Sequence, residues 1–400
     1  MISSNRIRLA SLISLLSIQF GCTGTSPPPA DVSITDSAGV VIVEVERLGA
    51  VVAPSLALET VFRTSRTGVE LFGVSSARLL ESDRVAVGNA ENQEVLILDS
   101  SGGLERTVGR AGEGPGEFGT ITTLHRSGEG GFSVYDARRG RWTHFDRSGD
   151  LLSTQPMRPT DDFRDLAPLA FGPEGDVLAI YGSVRRFPGE GIQRDTTPLL
   201  RYRTPDASPD TLSLWATRES RYERGDFGWS QTLVGFGRSL ASFGTGPWAV
   251  LGDTDRLDVS LFVSTGRLVM RIRGGHDPIA TTESDGEQWR RDLVSGLGEG
   301  LPPEIREMWG GAPFRESYPA FDKVAVDVVG RVWIGTTALF REDQRRWIIF
   351  GPDGTPVGTV VLPVDADVLD ITENRLLTLE RDDLDVEEIT LYEIRGLQML

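Results

Sequence analysis

The protein is a chain of 400 residues in which 58 acidic residues outnumber 41 basic ones, giving a formal net charge of −17. This balance provides no basic surface for a nucleic-acid backbone and excludes nucleic-acid binding. The 46 glycines and 22 prolines predict many tight turns instead of long helices, while 39% apolar residues are enough for a large core.

The first 21 residues are typical of a secretory signal peptide. Arg6 and Arg8 precede an apolar stretch from Leu9 to Phe20, which is too short to span a bilayer. The single cysteine of the chain, Cys22, follows directly, and this arrangement resembles the cleavage and lipidation site of bacterial lipoproteins. The resemblance implies that Cys22 is acylated and anchors the chain in the cell envelope, at the outer membrane or the periplasmic face. Ordinary signal cleavage, which would release a soluble periplasmic or secreted protein, is the alternative.

Residues 22–38 are predicted to be the lipid anchor and a flexible tether. Residues 23–29 hold no large apolar side chain and end in three consecutive prolines, a composition that favours extended backbone. The membrane is therefore contacted through the lipid alone. The folded domain is expected over residues 39–396, as a monomer.

Beyond the tether, a pattern of two β stretches joined by a polar connector occurs six times. Three of the intervals between successive copies are close to 45 residues, and the other two are longer and contain insertions. Repeats of this length are typical of β-propellers and solenoids. The copies start at Val85, Phe132, Val177, Trp248, Val332 and Leu376, and their partner stretches are Val95–Asp99, Trp142–Asp146, Leu199–Arg203, Val259–Val263, Trp347–Phe350 and Ile389–Ile394.

The six copies predict an all-β fold: a six-bladed β-propeller, in which four-stranded sheets stack around a channel. The last copy has an inner strand near Val368–Ile371 and two further strands, and the chain then ends before a fourth. Residues 56–63 have the pattern of an outer strand and precede the first copy. This N-terminal strand is expected to complete the last blade and close the ring, which removes an open sheet edge.

Two segments around the start of the second copy show a family resemblance. The stretch Val95–Gly102 (VLILDSSG) is followed by Gly112–Phe118 (GEGPGEF), which leads into an inner strand. This arrangement resembles the NHL-type repeat of bacterial six-bladed β-propeller lipoproteins, and the similarity covers residues 56–394. The resemblance implies a propeller fold and does not identify a ligand.

The longest interval, between the fourth and fifth copies, contains a predicted helical insertion at residues 280–310. Thr282 and Asp285 have the spacing of a helix capping box. Trp289, Leu293 and Leu297 then recur on one face of the predicted helix.

A second short helix is predicted from Pro302 to Trp309. If the insertion lies across the channel mouth, Trp289, Met308 and Trp309 can line a binding site. The alternative is that these side chains attach the insertion to the surface of a blade. The other insertion, residues 182–198, is polar and rich in arginine and is predicted to be a mobile loop.

Side chains suited to catalysis are sparse in this sequence. His125, His144 and His276 lie far apart, none has the spacing of a zinc site, and the G-x-S-x-G nucleophile motif is absent. No catalytic residue and no cofactor are therefore predicted. Calcium stays possible, because propeller enzymes gather carboxylates from several inner strands. The candidates from inner-strand regions are His125, Asp165, Asp322, Asp327 and Asp370.

Two classes of function remain open. The sequence favours an envelope-anchored binding or scaffold protein that recognises a protein, glycan or small ligand at the channel face without chemistry. The alternative is a calcium-dependent propeller hydrolase of the lactonase or esterase kind, since the fold does not distinguish the two. Lys323 is the only lysine of the chain, although an ion pair with the adjacent Asp322 would also explain it. The candidate ligand-binding residues are His125, Asp322, Lys323, Asp327, Trp289 and Trp309.

Overall fold

A computed structural model describes residues 32–157, 166–181, 189–225, 228–276, 278–296, 302–339, 342–382 and 384–397. Strands dominate these residues, and the two α-helices among them are α1 (Glu283–Gly296) and α2 (Pro303–Gly310). The predicted all-β class and the helical insertion are thus confirmed. No helix within the described ranges is long and apolar enough to cross a membrane. The predicted signal peptide, Cys22, Asp165 and Leu297 lie outside these ranges.

Three strands precede the repeats: β1 (Val32–Ser37), β2 (Val40–Val45) and β3 (Ala57–Arg63). β1 and β2 form an antiparallel hairpin, so the tether predicted over residues 22–38 is wrong from Val32 onward, while residues 22–31 lie outside the described ranges. The hairpin forms because Val32 packs into the same core as Val43 and Val45. Its two turn residues, Ala38 and Gly39, both have positive φ, as a tight hairpin turn requires.

The first two copies are antiparallel four-stranded sheets. A short parallel pair, β8 (Arg110–Ala111) and β9 (Glu117–Phe118), lies between them in the chain. Sheet 1 contains β4 (Val74–Leu79), β5 (Val85–Asn89), β6 (Glu94–Leu98) and β7 (Leu104–Val108). Sheet 2 contains β10 (Ile121–Arg126), β11 (Phe132–Asp136), β12 (Arg141–Phe145) and β13 (Leu151–Pro156).

Sheet 3 has five strands and a long hairpin. It contains β14 (Leu166–Phe171), β15 (Val177–Tyr181), β16 (Gly191–Tyr202), β17 (Asp210–Gly225) and β18 (Gly228–Leu233). The loop predicted over residues 182–198 is wrong from Gly191 onward, because β16 pairs with β17 from its first residue. Arg194 shows why a polar sequence is ordered here: its guanidinium donates to the backbone oxygens of Thr217 and Ala216 and to Asp253.

Sheet 4 has six strands, because the N-terminal hairpin extends it. It contains β19 (Leu240–Thr245), β20 (Trp248–Asp253), β21 (Leu257–Val263) and β22 (Leu268–Gly274), with β2 and then β1 beyond β22. β2 runs parallel to β22, whereas the four strands from β19 to β22 are antiparallel to one another in sequence order. The helical insertion follows β22.

The last two sheets complete the repeats. Sheet 5 contains β23 (Lys323–Val326), β24 (Val332–Gly335), β25 (Gln344–Phe350) and β26 (Pro356–Pro363). Sheet 6 contains β27 (Asp367–Ile371), β28 (Arg375–Arg381) and β29 (Glu387–Arg395), with β3 as its fourth strand. β3 pairs antiparallel with β29, which confirms the predicted origin of the missing strand.

Apolar cores join each sheet to the next one. Six clusters of buried side chains lie between sheets 1 and 2, 2 and 3, 3 and 4, 4 and 5, 5 and 6, and finally 6 and 1. The middle strands are buried on both faces for this reason; every residue of β5, Val85 to Asn89, is buried. Each sheet therefore packs against the next one, and the last sheet packs against the first: β27 of sheet 6 contacts β4 of sheet 1.

The N-terminal segment runs along the outer edges of three sheets. β2 lies on sheet 4, Ser55 bridges to Thr359 of sheet 5, and β3 lies on sheet 6. The backbone N–H of Leu56 donates to the oxygen of Thr359, and the N–H of Thr359 donates to the oxygen of Pro54, both at 2.8 Å, which fastens the middle of this segment. The strands β1 to β3 thus hold together sheets 4, 5 and 6, whose other strands come from later in the chain.

Candidate functional site

The first strands of the sheets meet around a buried carboxylate, Asp370. Its Oδ2 accepts hydrogen bonds from the backbone N–H of Leu79, at 2.9 Å, and from Nη1 of Arg126. Its Oδ1 accepts from Thr245 Oγ1 at 3.1 Å, and Nη2 of Arg126 donates to the same hydroxyl at 2.7 Å. These four residues belong to β27, β4, β10 and β19, so a single network links sheets 6, 1, 2 and 4 at their centre.

A second arginine, Arg78 of β4, is buried in the same region. Its Nη1 donates to the backbone oxygen of Leu369 at 2.7 Å, and its Nη2 donates to that of Gly244 at 3.2 Å. Burial lowers the pKa of Arg78, although Asp370 counteracts the effect. Side chains thus fill the centre of the described sheets, where the sequence predicts a ligand-binding channel.

His125, the first candidate ligand-binding residue, belongs to this centre. It is 2% exposed, its ring lies 3.8 Å from that of Phe171, and its Nε2 lies 3.4 Å from the backbone oxygen of Leu169. Burial lowers the pKa of His125 well below 6.5, and the positive charges of Arg78 and Arg126 act in the same direction. The imidazole is therefore neutral at pH 7 and packed among side chains.

Asp327 has a structural role in the turn that joins β23 to β24. One carboxylate oxygen accepts the backbone N–H groups of Val329 and Arg331, at 3.1 and 2.9 Å. The other oxygen accepts from the Arg331 guanidinium and, at 3.4 Å, from the indole N–H of Trp333. Burial raises the pKa of Asp327, while Arg331 favours the charged form. All of its strong partners are thus within the same sheet.

Asp322 and Lys323, although adjacent, have different partners. Asp322 Oδ2 accepts from Nη2 of Arg345 and from the backbone N–H of Ala338, both at 3.0 Å. Lys323 forms its ion pair with Asp367 of sheet 6, and the two side chains are partly exposed. The pair links sheet 5 to sheet 6, as a surface ion pair of modest strength.

The described residues do not fit a calcium site. Asp322, Asp327 and Asp370 each have an arginine partner of their own, and within the described ranges no three His, Cys, Asp or Glu side chains cluster as metal ligands. A calcium ion needs six or more oxygen ligands, which these separated carboxylates do not supply.

An open cavity of about 270 Å³ lies beside the helical insertion. The ends of sheets 3, 4 and 5 meet α1 here, and the walls combine four aromatic side chains with a few polar ones. This combination is typical of small-molecule sites. The lining residues are Arg218, Leu233, Val234, Phe236, Gly237, Ser239, Thr254, Trp289, Tyr318, Pro319, Phe321, Asp322 and Ala338.

The local sequence of α1 places Trp289 in this wall. Thr282 and Asp285 form the predicted capping box, with the Thr282 N–H donating to the Asp285 carboxylate at 2.9 Å and the Asp285 N–H to the Thr282 hydroxyl at 3.1 Å. Trp289 packs on the backbone of Gly235; a Cβ atom at position 235 would lie 2.6 Å from the indole. A glycine is thus needed there for the helix to approach sheet 3. The ring of Phe236 lies between those of Trp289 and Tyr318, at 6.5 and 4.7 Å.

An ionic network around the buried Glu219 lies next to the cavity lining, since Glu219 follows Arg218 in the chain. Glu219 accepts from the guanidinium of Arg315 and from the backbone N–H of Arg238. Burial opposes ionisation of Glu219, but the hydrogen bonds from Arg315 and Arg238 lower its pKa overall. Arg238 also donates to Asp255 and Ser317, so the network joins sheet 3 to the segment that leads into sheet 5.

The cavity brings together two of the six candidate residues, Trp289 and Asp322. His125, Lys323, Asp327 and Trp309 do not line it, and Trp309 is half-buried on α2. The sequence analysis missed Arg218, Phe236 and Tyr318. A signal existed for Phe236, because it lies between Gly235 and Gly237 in the segment that joins β18 to β19.

A larger cavity, of about 430 Å³, lies on the other side of Pro319. Its walls include Leu48, His276, Glu342 and Arg346 but no aromatic residue other than the histidine. Arg346 is already used to hold the N-terminal segment, through the backbone oxygens of Gly49 and Val51. The aromatic cavity is therefore the better candidate site.

Comparison with known proteins gives structural likeness only. No protein-family model matches the chain, and no curated protein matches it in sequence. A protein from Bacteroides fragilis that is named as exported is 10% identical, with 89% of this chain and 100% of that chain covered and a TM-score of 0.47. A gluconolactonase from Xanthomonas campestris is 13% identical (92% and 96% covered, TM-score 0.40). A calcium-binding regucalcin from Agrobacterium tumefaciens is 11% identical (87% and 100% covered, TM-score 0.40).

Proposed function

We propose that the chain is a six-bladed β-propeller held in the cell envelope, which binds a small ligand in the cavity between its helical insertion and sheets 3 to 5. The observation that carries the proposal is the aromatic wall formed by Trp289, Phe236, Tyr318 and Phe321 around about 270 Å³. Six sheets with a shared core between each pair support the ring. The proposed binding site lies at the rim and not in the channel expected from the sequence, because the side chains of Arg78, Arg126 and Asp370 fill the centre.

The position of β1 indicates which end of the fold the proposed lipid anchor would hold near the membrane. Val32 pairs with Val45, which pairs with Gly274, at the end of sheet 4 where Ser239 and Thr254 line the cavity. Nine residues separate Cys22 from Val32. A lipid on Cys22 would therefore hold Val32, at the same end of sheet 4 as the cavity, within roughly 30 Å of the bilayer, the reach of an extended segment of that length.

The anchor is tested by mass spectrometry of the mature protein from its native host. We expect the chain to begin at Cys22 and to carry the mass of the acyl groups. A Cys22→Ser variant is expected to lose membrane association and to appear in the soluble envelope fraction. A mature chain that begins elsewhere, or an unmodified Cys22, would contradict the anchor and leave the cavity proposal unaffected.

The binding function is tested with Trp289→Ala. The probes are phenylacetate and its neutral analogue phenylacetamide, both small enough for the cavity, followed by saturation-transfer NMR and isothermal titration calorimetry on the full chain. We expect at least one probe to bind and Trp289→Ala to weaken it by about tenfold or more, because an aromatic wall is lost. Trp309→Ala is the matched control and should retain binding. Absence of binding by both probes, or equal losses in the two variants, would overturn the proposal.

A further inference from the structure

Arg218 differs from the other arginines around the cavity because its guanidinium has no acidic partner among the described residues. The guanidinium of Arg315 pairs with Glu219, that of Arg238 with Asp255, and that of Arg345 with Asp322. Arg218, on β17, lines the cavity and makes no hydrogen bond or ion pair with any of the described residues. A guanidinium in this position has five N–H donors available to a ligand.

We infer that the ligand is a small monocarboxylate with a flat apolar body, bound with its carboxylate on Arg218 and its body against Trp289 and Phe236. This inference rests on the proposed function. A planar guanidinium matches the two oxygens of a carboxylate. Arg218 is exposed, so its guanidinium is accessible to a ligand, and Trp289, Phe236 and Phe321 provide apolar walls beside it for the body of the ligand.

A second charged residue of the lining limits the charge of the ligand. Asp322 lines the same cavity, and its negative charge is shared with Arg345 and the Ala338 N–H through Oδ2. Among the residues that line the cavity, Arg218 is thus a positively charged side chain without an acidic partner among the described residues. A dianion such as a phosphate monoester would face Asp322 with one countercharge, whereas a monocarboxylate is neutralised by Arg218 alone.

The test compares phenylacetate with phenylacetamide, which has nearly the same shape and no charge. We expect the full chain to bind phenylacetate about tenfold or more tightly, the range of a charge-assisted hydrogen bond. Arg218→Gln should remove this preference and leave phenylacetamide binding unchanged. Arg218→Lys should restore part of it, since the charge is kept and the planar fork is lost.

The matched control is Arg224→Gln, which removes an exposed arginine from the same strand outside the cavity lining. It should leave both affinities unchanged. Equal affinity of the two probes in the unmodified protein, or an equal effect of Arg218→Gln and Arg224→Gln, would overturn the carboxylate inference while Trp289-dependent binding still supports the proposed function. If neither probe binds, the proposed function fails and the inference with it.

Discussion

Replacement of Asp370 by asparagine is expected to lower the free energy of unfolding by about 3–5 kcal/mol, the cost of leaving a buried charge without its partner. Asparagine keeps the shape of the side chain, but Arg126 and Arg78 then remain in the centre without a negative charge. Asp370 is fully buried, and its hydrogen bonds link strands of four sheets. Urea unfolding at pH 7, followed by circular dichroism, measures the change.

The control for this prediction is the exposed ion pair between Arg106 and Asp150, whose side chains are 45% and 67% exposed. Asp150→Asn should cost less than about 1 kcal/mol, because solvent already screens that pair. The double variant Arg126→Met/Asp370→Leu should lose less stability than Asp370→Asn, since it removes both charges of the pair. An Asp370→Asn protein as stable as the Asp150→Asn control would show that the central network contributes little.

Phe62→Ala is expected to destabilise the fold by about 3–5 kcal/mol, as is usual when a large aromatic side chain is removed from a core. Phe62 lies on β3, is 6% exposed, and packs into the cluster between sheets 6 and 1. It also fits closely over Gly102, where a Cβ atom would come within 2.5 Å of the ring. The substitution therefore weakens the packing between sheet 6, to which β3 belongs, and sheet 1.

Val61→Ala provides the comparison for Phe62→Ala. Val61 is the neighbouring residue of the same strand, but its side chain points outward and is 39% exposed. Its truncation should cost well under 1 kcal/mol by thermal or urea unfolding, as is usual for surface substitutions. Similar losses of stability in the two variants would mean that β3 contributes only its backbone pairing with β29. The Phe62 side chain would then not be needed to hold sheet 6 against sheet 1.

The sequence predicted the strands well because their signals are local. Alternating apolar residues bounded by glycine turns placed the strands that begin near Val85, Phe132 and Val177, and the capping box placed α1. The two errors, at Val32–Ser37 and from Gly191 onward, are both polar segments. Partners outside these segments determine their structure: β22 of sheet 4 for the N-terminal hairpin, and the following strand β17, together with Asp253, for the extended strand β16.

The candidate site was predicted only in part, for a different reason. Trp289 could be found because its position on a capped helix is a local pattern. Arg218 could not, since nothing near it in sequence shows that it lacks an acidic partner among the described residues, and Glu219 beside it is paired with Arg315, far along the chain. Asp327 and His125 were candidates as titratable residues near inner strands, yet burial and their neighbours give both a structural role.

By itself, the sequence determined the repeat, the class of fold, the closing strand and the helical insertion, because hydrophobic periodicity and turn chemistry act over a few residues. Only the tertiary structure decided which charges are neutralised and which face a cavity. Asp370 meets Arg126 and Glu219 meets Arg315 across more than ninety residues of chain, whereas Arg218 meets no such partner in the part of the chain that the structure describes. Pairing of this kind depends on distances in space, and electrostatic attraction, unlike periodicity, leaves no regular spacing in the sequence.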